Sequence, residues 1–344
     1  MLLYGFMEEA IKAKKIIENA KKIVILISSP DGDSVGSSIV LKHYLEDRNK
    51  IVDLFSFKKP SPIFLNFKDI GDIDVTNTTK IDYTYYDAII IIDSGSIHQV
   101  YDYQRYPNFR FPSTTPLIAI DHHLSNTHYA KYNIYDTNAG ATGELIYKYF
   151  IKDEYDLDDD ERELLYFALV WDTGSFRYHV REETLQIAAE LLKGNIDIDK
   201  LSSLYFENID DDVKRVLPDL IQKTVMRKNP RFVYLYLSLK HMQKLKMKPF
   251  EIKKYIDVYR GSFQINMKDY DIFIVITERK DYKIISVRGK PYTNKIDLSK
   301  LSEYGDFQGG GHFNASSFSS NKDKNEIIKT LSIAISDLSE KLST

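Results

Sequence analysis

"ILISSPDGDSVGSS", residues 25–38, decides the fold. An apolar run ends at Pro30. Two carboxylates, Asp31 and Asp33, then flank a single glycine, and small residues follow. A buried strand whose carboxyl edge must present oxygen ligands ends in this way. Working outward, "KIVILIS" (22–28) is the strand and "SVGSSIVLKHYLEDRNK" the helix after it. "IVDLFSF" (51–57), "YDAIIIIDSG" (86–95) and "PLIAIDHH" (116–123) are further strands, while "GATGELIYKYFI" and "DERELLYFALVWD" have helical patterning. Strand and helix in this rhythm predict an α/β fold built on a parallel sheet covered on both faces. In such sheets ligands collect beyond the carboxyl ends of the strands.

At 344 residues the chain exceeds what one small core needs, so two domains are expected. Residues 183–193 form another helix stopped by Gly194, and "NIDIDKLSSLYFENIDDDVKRV" is an acid-rich linker with helical pieces. From about residue 226 the texture changes. "RFVYLYLSL", "YDIFIVITER" and "YKIISVRG" are strand-like and "KNEIIKTLSIAISDLSEKL" is a closing amphipathic helix, which together fit a smaller α+β domain.

The composition, 43% apolar and 28% charged, is that of an ordinary globular chain. A net charge of −3 supplies no global basic field, so a nucleotide ligand would need local cations or a metal. With no cysteine, disulfides, thiolate zinc sites and cysteine nucleophiles are excluded, and a reducing compartment fits. The amino terminus lacks the long apolar core of a signal peptide, and no apolar run is long enough to span a membrane. A soluble, cytoplasmic protein is expected, with no membrane partner.

Acidic and imidazole groups recur where apolar runs end. Asp31 and Asp33 follow the first strand, Asp93 ends "AIIIID", Asp121, His122 and His123 end "LIAIDHH", and Asp172 lies in "LVWDTGS". Any one such aspartate is commonly a turn former or helix cap. Four segments doing the same thing converge on one edge of a parallel sheet, where so many carboxylates repel unless cations neutralise them. Oxygen-rich donors with one or two imidazoles suit Mn²⁺, Mg²⁺ or Fe²⁺ better than a structural zinc site.

The order PDGD, D, DHH, D resembles the DHH superfamily of phosphoesterases. In the second half, "GDFQGGGHFNASSF" (305–318) resembles the glycine-rich signature of the DHHA1 domain, and "KIISVRG" resembles the strand before it. The resemblance implies a parallel-sheet DHH domain (1–195), a linker (196–225) and a DHHA1 domain (226–344), with the active site in the cleft between the two. It is nearest to the nanoRNase and pAp-phosphatase branch, which includes phosphodiesterases acting on cyclic di-AMP and pApA. The resemblance further implies that Asp31 binds one metal, Asp33 a second, and that Asp93 bridges them, with His122 and Asp172 completing the second site. Asp121 would orient His122, and His123 would face the substrate and assist the leaving oxygen. Arg288, Gly309, Gly310, Gly311 and His312 would grip the nucleotide, and Arg177 and His179 would lie near the site.

One departure stands out. The family usually places a histidine three residues before this proline, where this chain has Ile27, which coordinates nothing. The second metal's set of Asp33, Asp93, His122 and Asp172 is intact, whereas the first lacks its imidazole and Ser28 and Ser29 are poor substitutes. The expected function is a Mn²⁺-dependent phosphodiesterase (one or two ions, Mg²⁺ or Fe²⁺ as substitutes) acting on pApA, short oligoribonucleotides and cyclic di-AMP. Its alternatives are a pAp 3′-phosphatase and a nucleotide binder impaired in turnover. Long duplex nucleic acid is not expected as a partner, and a homodimer would be unsurprising.

Overall fold

Ile23, Ile25 and Ile27 pack into one apolar cluster and Val24 and Leu26 into another, all with no accessible surface. Residues 22–27 are therefore a strand buried on both faces, which is why they read as a continuous apolar run without alternation. The computed structural model describes residues 2–28, 30–103, 105–123, 126–206, 211–247, 252–263, 267–290 and 293–342. The chain divides into two units, Met1–Asn208 and Ile209–Thr344.

The first unit runs α1 (Leu2–Asn19), β1 (Lys22–Ile27), α2 (Gly32–Asp47), β2 (Ile51–Ser56), β3 (Asp74–Val75), β4 (Ala88–Ile92), β5 (Leu117–Asp121), β6 (Tyr132–Tyr135), α3 (Thr142–Ile146), α4 (Asp159–Asp172), α5 (Glu182–Leu191) and α6 (Ile198–Phe206). Among the described residues its sheet has six strands, all parallel, in the order β3-β2-β1-β4-β5-β6. The chain leaves β1 toward β2 on one side and returns to β4 on the other. The crevice outside the carboxyl ends of β1 and β4 is thus the topological switch point, where ligands bind in open α/β sheets.

The second unit runs α7 (Asp211–Gln222), β7 (Val225–Lys228), β8 (Arg231–Leu237), α8 (Leu239–Lys244), α9 (Ile252–Ser262), β9 (Ile272–Glu278), β10 (Lys283–Gly289), β11 (Gln308–His312), β12 (Ala315–Ser320) and α10 (Lys324–Glu340). Its mixed sheet follows the order β11-β12-β10-β9-β8-β7, with β8 and β9 parallel and the other pairs antiparallel. The apolar face of α10 covers Ile274, Ile285 and Val287, while α7 and α9 cover Leu235 and Val275. This is the α+β architecture expected of the second half.

Three local readings change. Residues 196–225, expected as a linker with helical pieces, carry α6, whose Leu201 is buried in the first unit's core, and α7, whose Val213, Val216 and Leu220 are buried in the second's. The short strands β6 and β12 were not singled out, because "YNIY" and "ASSFSS" are too polar to show as apolar runs. Gly309–Gly311, expected to grip the nucleotide, lie on edge strand β11 paired with β12. A Cβ at Gly309 would stand 2.4 Å from the Ser317 carbonyl oxygen and one at Gly311 2.3 Å from that of Ala315, so both glycines serve close strand approach; Gly310 alone faces open space.

Helices α2 and α4 touch at Gly36, where a Cβ would meet the Leu164 carbonyl oxygen at 2.4 Å. Because Asp33 opens α2 and Asp172 closes α4, this contact sets the distance between two acidic groups of the candidate site. Gly36→Ala is expected to cost about 1–3 kcal/mol through overpacking, despite alanine's better helix propensity. Denaturant unfolding checks it; an unchanged or raised midpoint would show that the helices can part without loss.

Candidate metal centre

Each acidic group is delivered by a different piece of local structure. Asp31 is the N-cap of α2, with its side chain accepting from Ser34 N at 3.1 Å. One residue into the helix, Asp33 is fully buried and accepts from Thr142 N (2.5 Å), Gly143 N (2.9 Å) and Ser37 Oγ (2.9 Å). Asp93 directly follows β4 in a left-handed conformation (φ 56°). Its carbonyl accepts from Ser28 Oγ (2.7 Å) and its Oδ1 from Thr142 Oγ1 (3.1 Å). His122 and His123 follow β5 directly.

One ligand atom each from Asp33, Asp93, His122 and Asp172 lie within 4.8 Å of one another, and so do single atoms of Asp93, His122 and His123. His122 Nε2 stands 3.0 Å from Asp172 Oδ2, 3.7 Å from Asp93 Oδ1 and 3.8 Å from Asp33 Oδ2. The His122 Nδ1–H donates to the Ala139 carbonyl (3.1 Å), so that in the neutral ring Nε2 is the lone-pair nitrogen. That nitrogen is buried and makes no hydrogen bond of acceptable geometry. A buried, oriented imidazole lone pair facing three carboxylates is the donor set a divalent cation takes. The residues fit Mn²⁺ or a similar hard-to-borderline ion.

The charges are incompatible with neutral water-filled space. Burial, followed by the charge of Asp172, pushes Asp33 up to about 7 and Asp31 up to about 6. Burial, with Asp33 and Asp31 next, drives Asp93 well above the ordinary carboxylate range. Burial opposes a charge on His122, but its contact with Asp172 and the charges of Asp33 and Asp93 outweigh it and raise its pKa. Asp172 is the last residue of α4, where the helix dipole already disfavours an anion. It thus comes from a helix C-terminus, whereas Asp33 lies in the first turn of α2 and Asp93 and His122 directly follow strands.

The structure corrects one expected role. Asp121, buried at 1% exposure, accepts from His123 Nδ1 (2.7 Å) and Asn126 Nδ2 (2.6 Å). It orients His123; His122 is oriented by the Ala139 carbonyl instead. Ser28 is committed to the Asp93 carbonyl, Ser29 lies outside the described residues, and Ile27 is fully buried in the core. Asp31 stands outside both ligand groups, in its capping role. Arg177 and His179 are exposed, in a stretch where Gly174, Ser175, Phe176 and His179 all adopt positive φ. "GATG" (140–143) reads from sequence only as the start of a helix, yet segment 139–143 contacts Asp33, Asp93 and His122.

In the second unit, exposed Arg288 lies on β10, and the His312 side chain is outside the described residues. Arg260 of α9, not singled out from sequence, donates through Nη2 to the Ser286 carbonyl (2.9 Å) and has a buried Nε–H without a partner. Burial, then the nearby charge of Arg288, lowers Arg260 to about 10, with Asp257 opposing.

Residues 22–169 match the family model described as DHH family, N-terminal domain. They are a DHH-family domain. The chain is 29% identical over 217 residues to a protein of Streptococcus mutans named probable bifunctional oligoribonuclease and PAP phosphatase NrnA, covering 58% of this chain and 65% of that one. It is 25% identical over 217 residues to the bifunctional oligoribonuclease and PAP phosphatase NrnA of Bacillus subtilis, covering 58% and 66%. The match therefore spans just under two thirds of either relative. The fold as a whole is that of an exopolyphosphatase-related protein from Bacteroides fragilis, with a TM-score of 0.81, 22% identity and 98% of each chain covered.

Within the DHH domain, raised carboxylate and imidazole pKa values carry the same sign. In both cases the folded state holds protons that the unfolded chain has released. For the carboxylates this excess begins above 3.8 and ends near 6 for Asp31 and 7 for Asp33; for His122 it begins above 6.5. The metal-free protein is expected to melt at a lower temperature at about pH 8 than at about pH 5.5. Mn²⁺ competes with those protons, so it should raise the melting temperature more at the higher pH. Equal Mn²⁺ shifts at the two pH values would contradict the assignment of Asp33 and His122 as ligands.

Proposed function

We propose that this protein is a metal-dependent phosphodiesterase that hydrolyses short nucleotides such as pApA and short oligoribonucleotides to mononucleotides, and that the same centre removes the 3′-phosphate of pAp. The convergence of Asp33, Asp93, Asp172 and the partnerless Nε2 of His122 on one desolvated point carries this reading. The matched relatives' names, which couple an oligoribonuclease with a PAP phosphatase, support both activities. Cyclic di-AMP is a further candidate substrate.

Asp33, Asp93, His122 and Asp172 would hold the ion, Mn²⁺ by preference with Mg²⁺ or Fe²⁺ as substitutes. A bound divalent cation polarises a phosphoryl oxygen and makes water a nucleophile at neutral pH. The chain's own groups do the rest. His123 is held by Asp121, and the same contact raises its pKa against the opposing effect of burial. When it carries its second proton, this oriented imidazole, 42% exposed on its side chain, would donate a hydrogen bond to a phosphoryl oxygen or a proton to the leaving oxygen. In the second unit, Arg288 and the unpaired Nε–H of Arg260 supply cationic donors for a nucleotide phosphate.

Ile27 makes the ion count a property of this chain. With the first position short of its imidazole, the reading is one tightly held ion per chain. Wild type and Ile27→His are compared on pApA and on pAp across a Mn²⁺ titration, with products separated chromatographically and bound metal measured. Wild type should release AMP from pApA with about one ion bound, and Ile27→His should bind a second. Hydrolysis by Ile27→His alone would make the natural protein a nucleotide binder. Silence of both on both substrates would remove the hydrolase reading. Asp93→Asn should lower the pApA rate by at least about 10²-fold while leaving the fold intact by circular dichroism.

A further inference from the structure

Glu144 has no accessible surface, yet it lies on the helix that begins with the two amides holding Asp33. A lone buried carboxylate would be prohibitively costly, and this one is fully used. Its Oε2 accepts from Gly140 N (3.0 Å) and Thr184 Oγ1 (2.7 Å). Its Oε1 accepts from Arg181 Nε (2.9 Å) and from Arg181 Nη2. Arg181, the residue before α5, also reaches Asp136 Oδ2 (3.0 Å) and Glu183 Oε2 (3.1 Å). One guanidinium thus ties the start of segment 136–144, at Asp136, to its end, at Glu144. Room for the segment is minimal: a Cβ at Gly140 would meet Thr173 Cγ2 at 3.0 Å and the His179 carbonyl at 3.1 Å.

What this segment carries is the inner support of the candidate centre. Ala139 O fixes the His122 tautomer, Thr142 Oγ1 reaches Asp93, and the Thr142 and Gly143 amides hold Asp33. The two amides do not treat the Asp33 oxygens alike. Oδ1 already accepts from both Gly143 N and Ser37 Oγ, which fills its two lone pairs, whereas Oδ2 accepts only from Thr142 N and keeps one. Oδ2 is also the oxygen nearest His122 Nε2. The segment therefore selects which carboxylate oxygen remains available as a ligand.

We propose that the buried Glu144–Arg181 pair is a positioning device that holds segment 139–143 so that Asp33, Asp93 and His122 are set for a metal ion before it arrives. This rests on the metal-centre reading above. Neither residue touches the ion or the substrate; both act through the segment.

The test titrates Mn²⁺ into the full chain and follows binding by calorimetry and by quenching of Trp171. This is the chain's single tryptophan, and it packs against Gly32 between Asp31 and Asp33. Glu144→Gln, Arg181→Lys and Ile187→Ala are compared with wild type, and each metal-free protein is melted. Ile187 is a buried apolar residue of the same α5 and serves as a destabilised control. Both pair variants should bind Mn²⁺ roughly tenfold or more weakly, as loss of ligand-orienting contacts does, while Ile187→Ala loses melting temperature but keeps its affinity. Two pair variants are made so that misfolding of one leaves the other to decide. Wild-type affinity in the pair variants, or an equal affinity loss in Ile187→Ala, overturns the positioning role and leaves the metal centre standing. A wild type that binds no Mn²⁺ overturns both.

Discussion

The mutual repulsion of carboxylates in one desolvated crevice is the constraint on which the rest depends. Asp33 and Asp93 are buried, Asp31 and Asp172 lie close enough to raise their pKa values, and the side-chain charge that opposes this is His122, with no lysine or arginine among the largest contributors. Opposing protein charges would have been the ordinary way to stabilise such a cluster. The fold instead supplies hydrogen-bond donors with no formal charge: two amides and a hydroxyl to Asp33, a threonine hydroxyl to Asp93. These partly offset the desolvation but not the mutual repulsion, so in the metal-free protein the carboxylates are held toward their protonated forms. A cation would take the place of those protons between the carboxylates and the His122 imidazole.

That constraint explains features elsewhere in the first unit. Asp93 holds a left-handed backbone that a non-glycine residue adopts only when its surroundings impose it, and the Ser28 hydroxyl on its carbonyl is part of what imposes it. Gly36 and Gly143 let α2, α4 and α3 approach closely enough for residues of α2, α4 and the strand ends to meet. Asp172 sits at a helix C-terminus against the dipole, a placement that stability alone would disfavour. Each is a small local cost, and each lies beside the same point.

The sheet and the ligand residues were legible because both follow from short-range rules. Unbroken apolar runs such as "KIVILI" and "AIIII" occur where both faces of a strand are covered, and an aspartate directly after such a run has only one edge to occupy. The partnerships around the ligands were not legible. Asp121 lies next to His122 in sequence, but a strand turns successive side chains to opposite faces, and the alternate residue His123 took the contact. Two of the three donors to Asp33 come from residues more than a hundred positions away, Thr142 and Gly143, which carry no sequence signal because the backbone makes the bonds. Glycines 309–311 leave their local structure open for a related reason. A residue without a Cβ serves a phosphate approach and a close strand approach equally, and only the partner strand decides between them.

Ile27 ties these threads together. It is the last residue of β1, fully buried, and packs with Ile23 and Ile25 in the cluster that also holds Val35, Ile39 and Leu145. It is therefore a working part of the core that supports α2 and α3, the helices carrying Asp33 and its amides. A histidine there would exchange apolar packing for a polar ring, at a cost unless an ion or hydrogen bond took up its nitrogens. The isoleucine strengthens the support beneath Asp33 while removing a donor from its neighbour Asp31, which is then left to cap α2. Under the proposed function, fewer ligands on one side and a firmer frame on the other would favour a single ion, which Asp33, Asp93, His122 and Asp172 would hold.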